Sequence, residues 1–176
     1  MTTTQSRTQT HAAHYGKYRG TVMSNVDPEM RGKLLVSVPG LGLPTPVWAE
    51  GCFPVTGTQA GMFSVPEIGA GVWVEFEQGH LDHPIWVGGF YSSADVPATA
   101  RAVPPGLSSF TFQTRSLNSI TISDTPGPTG GVLIRTTTGA MISVSDVGIV
   151  ISNGKGATIS MLGPTVDVNA GALTVI

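Results

Sequence analysis

The sequence predicts an all-β chain in two parts, a small closed barrel followed by a glycine-phased needle of short strands. Three observations carry this. Short runs of alternating apolar and polar residues fill residues 14–91, the period of half-buried strands. Pro and Gly interrupt nearly every window of eleven, so no helical period develops. Beyond these runs Gly recurs at 139, 148, 156, 163 and 171, at spacings of 9, 8, 7 and 8.

Composition bounds the function classes. The 23 Gly and 13 Pro among 176 residues make up about a fifth of the chain, against a usual sum of about 12 %. Only 11 % of residues are charged while 40 % are hydrophobic, and mean hydropathy is +0.18. That excludes disorder, which needs low hydrophobicity and high charge, and suggests that much of the surface faces other chains. Nine basic residues against eleven acidic ones exclude nucleic acid as a partner. Cys52 is the single cysteine, so no intrachain disulfide forms. The first residues lack the apolar core of a signal peptide, and no apolar run approaches the ~18 residues of a membrane helix. Synthesis as a soluble protein in the cytoplasm is expected.

Residues 1–13, rich in Thr, Gln and Ser, read as a flexible arm. Within 14–91 the expected strands are Arg19 to Val26, Lys33 to Val38, Val47 to Cys52, Gly71 to Glu77 and Ile85 to Tyr91. Asp27 to Gly32 and Gly79 to Pro84 are turns, with Pro and Gly where turns require them. Val72, Val74 and Phe76 share one face. Five short strands in under 80 residues suit a closed barrel of the OB type. Residues 92–109, with Pro97, Pro104 and Pro105, read as a linker.

Residues 110–176 form the expected needle. Between the corner glycines Gly139, Gly148, Gly156, Gly163 and Gly171 lie pairs of apolar residues two apart. They are Ile142 and Val144, Ile149 and Ile151, Ile159 and Met161, Val166 and Val168, and Leu173 and Val175. A repeat near eight residues fits a β-helical stack with Gly at its corners. One ribbon cannot keep these side chains from water. Three chains wound round one axis can, and they also pair strand edges, so the repeat predicts a homotrimeric triple-stranded β-helix with these ten residues as its core.

Residues 16–91 resemble the OB domain of phage baseplate assembly protein V and of VgrG proteins. The resemblance rests on an ordered series: Gly20-Thr21-Val22, Asp27-Pro28, Gly32-Lys33, Val36, Val38, Trp48-Ala49, Pro54, Gly61, Pro66 and Gly69. It closes with Gly71-Val72, Val74, Phe76, Gly79, Asp82, Pro84, Gly88 and Tyr91. The family commonly has Gly-Asp where this chain has Gly79-His80, so no role is carried over for that acid. The resemblance implies a non-enzymatic central spike of a contractile tail, in a phage or a phage-derived injection particle. Sheath contraction drives such a spike through a target envelope, which it contacts transiently. It also implies a separate hub protein on the barrel side, since only 15 residues precede the barrel here. A PAAR-like tip protein is expected to dock on Leu173, Val175 and Ile176.

His80 and His83 around Asp82 make half a metal site but lie in a predicted turn, with no further ligand nearby in sequence. Some relatives close the needle tip with an iron-binding His-x-His pair, and no His follows His83. Lys155 between two glycines lacks the spacing of a phosphate loop. No nucleophile elbow or paired acid is present, so no catalytic residue, metal or cofactor is expected. Cys52 is expected to be a small buried hydrophobe. Trp48, Trp73 and Trp86 are expected in the barrel core or at trimer contacts. The alternative gives them a glycan-stacking role, as an OB-type module on a trimeric adhesin stalk.

Overall fold

The computed structural model describes residues 13–175, with backbone alone for 174 and 175. The expected arm therefore lies outside the described residues except for Ala13, as does Ile176. The chain is nearly all-β and divides between Ala94 and Asp95 into two compact units.

The first unit is a closed five-stranded barrel. Strands β1 (Tyr18–Ser24), β2 (Leu34–Ser37) and β3 (Val47–Gly51) form an antiparallel meander. A small hairpin, β4 (Thr56–Gly57) with β5 (Ala60–Gly61), projects between β3 and the next barrel strand. Strand β6 (Gly71–Phe76) pairs with β1, and β7 (Pro84–Phe90) pairs antiparallel with β6 and parallel with β3. The parallel β3–β7 pair closes the barrel in the order β1-β2-β3-β7-β6, the OB arrangement. Alternation decides the core. Val22, Leu34, Val36, Val72 and Val74 are fully buried, with Val38, Ala49, Phe76 and Trp86 around them. Each full burial of this kind contributes about 1.5–3 kcal/mol. One extra residue, Val87, is accommodated as a bulge opposite Trp73 and Val74.

The turn between β1 and β2 is organised by Asp27. Its carboxylate accepts the backbone N–H of Glu29 at 2.9 Å, Arg31 at 2.7 Å and Lys33 at 3.1 Å. Desolvation raises the pKa of Asp27, but the N–H groups of Lys33, Glu29 and Arg31 outweigh it and hold the carboxyl below its ordinary 3.8.

The second unit is one eight-stranded antiparallel meander. Its strands are β8 (Ser109–Gln113), β9 (Ser119–Ser123), β10 (Gly131–Arg135) and β11 (Met141–Val144), then β12 (Ile149–Ser152), β13 (Thr158–Leu162), β14 (Thr165–Val168) and β15 (Leu173–Val175). Each strand pairs with the next. Ladders within the chain thus pair each strand with its neighbours in sequence. What the sheet lacks is cover for one face.

Residues 92–109 differ from a plain linker. They hold one helical turn, α1 (Ala98–Arg101), with Pro97 at its N-cap, and β8 already starts at Ser109. The run Ala98-Thr99-Ala100-Arg101-Ala102 has high helix propensity. Thr99 donates its hydroxyl to Gln113 Oε1 at 2.8 Å, fixing the turn on β8.

Candidate functional site

The register of the second unit sorts its residues into two faces. On one face, pairing runs Phe112–Ile120–Ile134–Ile142–Ile151–Ile159–Val168–Leu173, one residue from each strand. A parallel column runs Phe110–Ile122–Val132–Val144–Ile149–Met161–Val166, and the backbone position of Val175 continues it. Twelve of these side chains are 36–59 % exposed. The opposite face carries Ser119, Thr121, Ser123 and Ser143, all buried in the single chain. The usual arrangement is inverted: small hydroxyl side chains are covered and large aliphatic ones meet solvent. A soluble monomer rarely shows so continuous an apolar surface.

The ten residues expected as a trimer core all lie in these columns. The sequence reading missed six more: Phe110, Phe112, Ile120, Ile122, Val132 and Ile134. Their signal was the alternation in Ser109–Gln113, Ser119–Ser123 and Gly131–Arg135, the last opened by Gly131, which stands eight residues before Gly139 with φ +75°. The rings of Phe110 and Phe112 meet edge to face with centroids 4.6 Å apart.

The five corner glycines all have positive φ. Two cases differ in kind. At Gly163 φ is +56° with open space around it, whereas a Cβ at Gly148 would lie 2.3 Å from the Met161 carbonyl oxygen. The first position needs the left-handed backbone, and the second is set by the approach of a neighbouring strand.

The remaining candidates are dispersed. His80 and His83 are exposed in the turn before β7, with ring centroids 6.4 Å apart. No three His, Cys, Asp or Glu side chains gather among the described residues. Lys155 is exposed in the β12–β13 corner, where its N–H donates to Asn153 Oδ1. Cys52 is exposed, contrary to the buried position expected, because it continues the outward parity of Trp48 and Glu50 along β3. The tryptophans separate. Trp86 is in the core and donates Nε1–H to the Gly32 carbonyl at 3.0 Å. Trp73 lies beneath the Arg19 guanidinium, 4.7 Å from the ring centroid. Trp48 is 44 % exposed, which leaves the core to Trp86 among the two roles expected, barrel core or trimer contact. A concave pocket of about 520 Å³ lies on the hydroxyl-bearing face beside α1, and Arg135 is the one charged residue lining it.

An OB barrel in one chain with a sheet whose large apolar side chains stay uncovered defines an assembly protein. Residues 18–91 match the family described as the Type VI secretion system/phage-baseplate injector OB domain, and residues 109–174 match the phage baseplate V C-terminal trimerisation domain. The chain belongs to the phage baseplate V family of VgrG-like spike proteins. Its role is that of a structural baseplate component, associated with the virion or its tail. No curated protein matches the chain significantly.

Proposed function

We propose that this chain is the central spike of a contractile tail baseplate, acting as a homotrimer with no catalytic activity. The observation that carries the reading is the pair of unbroken apolar columns on one face of the second unit. In a triple-stranded β-helix, three such sheets turn these columns toward a common axis. Covering the exposed 40–50 % of such a side chain contributes roughly 0.6–1.5 kcal/mol, repeated along every strand of three chains. The result is a stiff rod suited to transmit force when the sheath contracts and to cross a target envelope.

The partners in this reading are a hub protein on the barrel side and a PAAR-like tip protein at the C-terminal end. For the hub, the exposed Met30, Val55, Met62 and Phe63 of the barrel offer apolar contact. For the tip, β15 has a ladder partner on one side only among the described residues. The reading is tested on particles purified from producing cells by electron microscopy with an antibody to the barrel. Label is expected at the end of the tail, beneath the sheath. Label spread along the tube or absent from particles would overturn it.

A further inference from the structure

The β12–β13 corner contains the dipeptide Asn153-Gly154, and each residue is imposed by a different constraint. Asn153 Oδ1 accepts the backbone N–H of Lys155 at 2.8 Å and of Ala157 at 3.0 Å, which shapes the turn. Gly154 has φ +69°, and a Cβ there would lie 2.6 Å from the backbone carbon of Gly139 in the neighbouring corner. Turn chemistry thus requires a side-chain carbonyl at 153, and stacking of corners requires glycine at 154. Together they create a peptide with an intrinsic reaction, because glycine leaves its backbone nitrogen unshielded by any side chain.

We propose that Asn153-Gly154 is a deamidation site held closed by the folded corner and released when the corner opens. In the reaction the Gly154 nitrogen loses its proton and attacks Cγ of Asn153. The N–Cγ bond forms, the Cγ–Nδ2 bond breaks, and Nδ2 leaves with the proton as ammonia. Water then opens the cyclic imide at either carbonyl, giving aspartate or isoaspartate. One water is consumed, one ammonia is released, and no oxidant or catalyst takes part.

Three hydrogen bonds oppose this in the folded chain. The Gly154 N–H donates to Ser152 Oγ at 3.1 Å, and both bonds to Asn153 Oδ1 must break before Cγ can turn onto the nitrogen. Both residues are exposed, so water is not what limits the reaction. An aspartate at 153 keeps an oxygen for the two N–H donors. Isoaspartate inserts a methylene into the main chain, and the corner bond from Asn153 N–H to the Ala157 carbonyl, 3.1 Å long, cannot re-form in register. The site therefore marks chains that stay unfolded and spares those that have folded.

The test is peptide mass spectrometry of the full-length protein incubated at neutral pH, folded and in denaturing urea. Asn25, Asn118 and Asn169, each followed by a residue with a side chain, serve as internal references. In urea Asn153 is expected to react fastest of the four. Folded, it is expected to react at least about tenfold more slowly, the factor that 1.4 kcal/mol of opening free energy supplies. Ser152→Ala is expected to raise the folded rate and leave the rate in urea unchanged. Equal folded and unfolded rates, no preference for Asn153 in urea, or an unchanged folded rate in the variant would overturn the gate.

Discussion

Ile142 and Ile151 stand directly opposite each other across the β11–β12 ladder, on the same face of the sheet, and both remain about two-fifths exposed. A cross-strand pair of β-branched residues stabilises a sheet, but here about two-fifths of each residue's surface still lacks a neighbour. The same holds along both columns, and the account of assembly rests on it.

Replacing Ile151 with Asp should abolish assembly while leaving the barrel folded. In a trimer the change places three carboxylates in an apolar interior without partners, which is strongly unfavourable. Sedimentation should then show monomer, while Trp86 fluorescence keeps its native spectrum. A variant that stays assembled would mean that this face is not the interface.

The two kinds of corner glycine should separate on replacement. Gly163→Ala strains the backbone only and should cost about 1–2 kcal/mol. Gly148→Ala must also push back the Met161 carbonyl, so its melting temperature should fall further. Gly40→Ala serves as the neutral reference, since a Cβ there meets nothing closer than 3.9 Å. Equal losses at 148 and 163 would show that strand approach is not limiting.

The barrel was largely legible because its strands are short, alternate cleanly and are separated by Pro and Gly. Val72, Val74 and Phe76 were placed on one face from spacing alone, and they are buried together. The upper half of the second unit was not legible by the same route. Its first corner uses other chemistry: Leu117 takes a left-handed φ of +64° where later corners have glycine, and Asn118 Oδ1 accepts from Thr137 N–H at 3.2 Å. A glycine phase counted from Gly139 starts one corner late, since Gly131 lies eight residues before it with φ +75°, and it passes over Phe110 to Ile134. The turn α1 has only four residues, too few for a helical period to register. Trp73 lies on the outer side of the strand whose inner side, Val72, Val74 and Phe76, was read correctly, and Trp48 lies opposite buried Ala49 on β3, because bulk alone does not say which face a residue takes.

Acid should weaken the barrel through its first turn. The folded pKa of Asp27 is depressed, so its contribution is complete above the ordinary value of 3.8 and disappears as pH falls through the lower folded value. Glu29, depressed from 4.5 chiefly by its hydrogen bond to Lys33, adds in the same direction. Barrel melting should fall as pH drops from 5 to 2, and Asp27→Ala should lower it at pH 7 and flatten that dependence. A variant with the wild-type acid profile would remove Asp27 from the account.

Removal of residues 172–176 should leave the oligomer intact, because seven of the eight strands keep their columns. It should abolish co-purification of a tip protein from producing cells. Retention of that protein by the shortened chain would place its docking site elsewhere.

The most direct test of the central claim is the mass of the purified full-length protein by light scattering. Three chains closing their apolar faces on one axis predict a single species of three times 18.2 kDa, unchanged on dilution into the low micromolar range. A monodisperse species of 18.2 kDa, with the columns open to solvent, would contradict the trimeric spike.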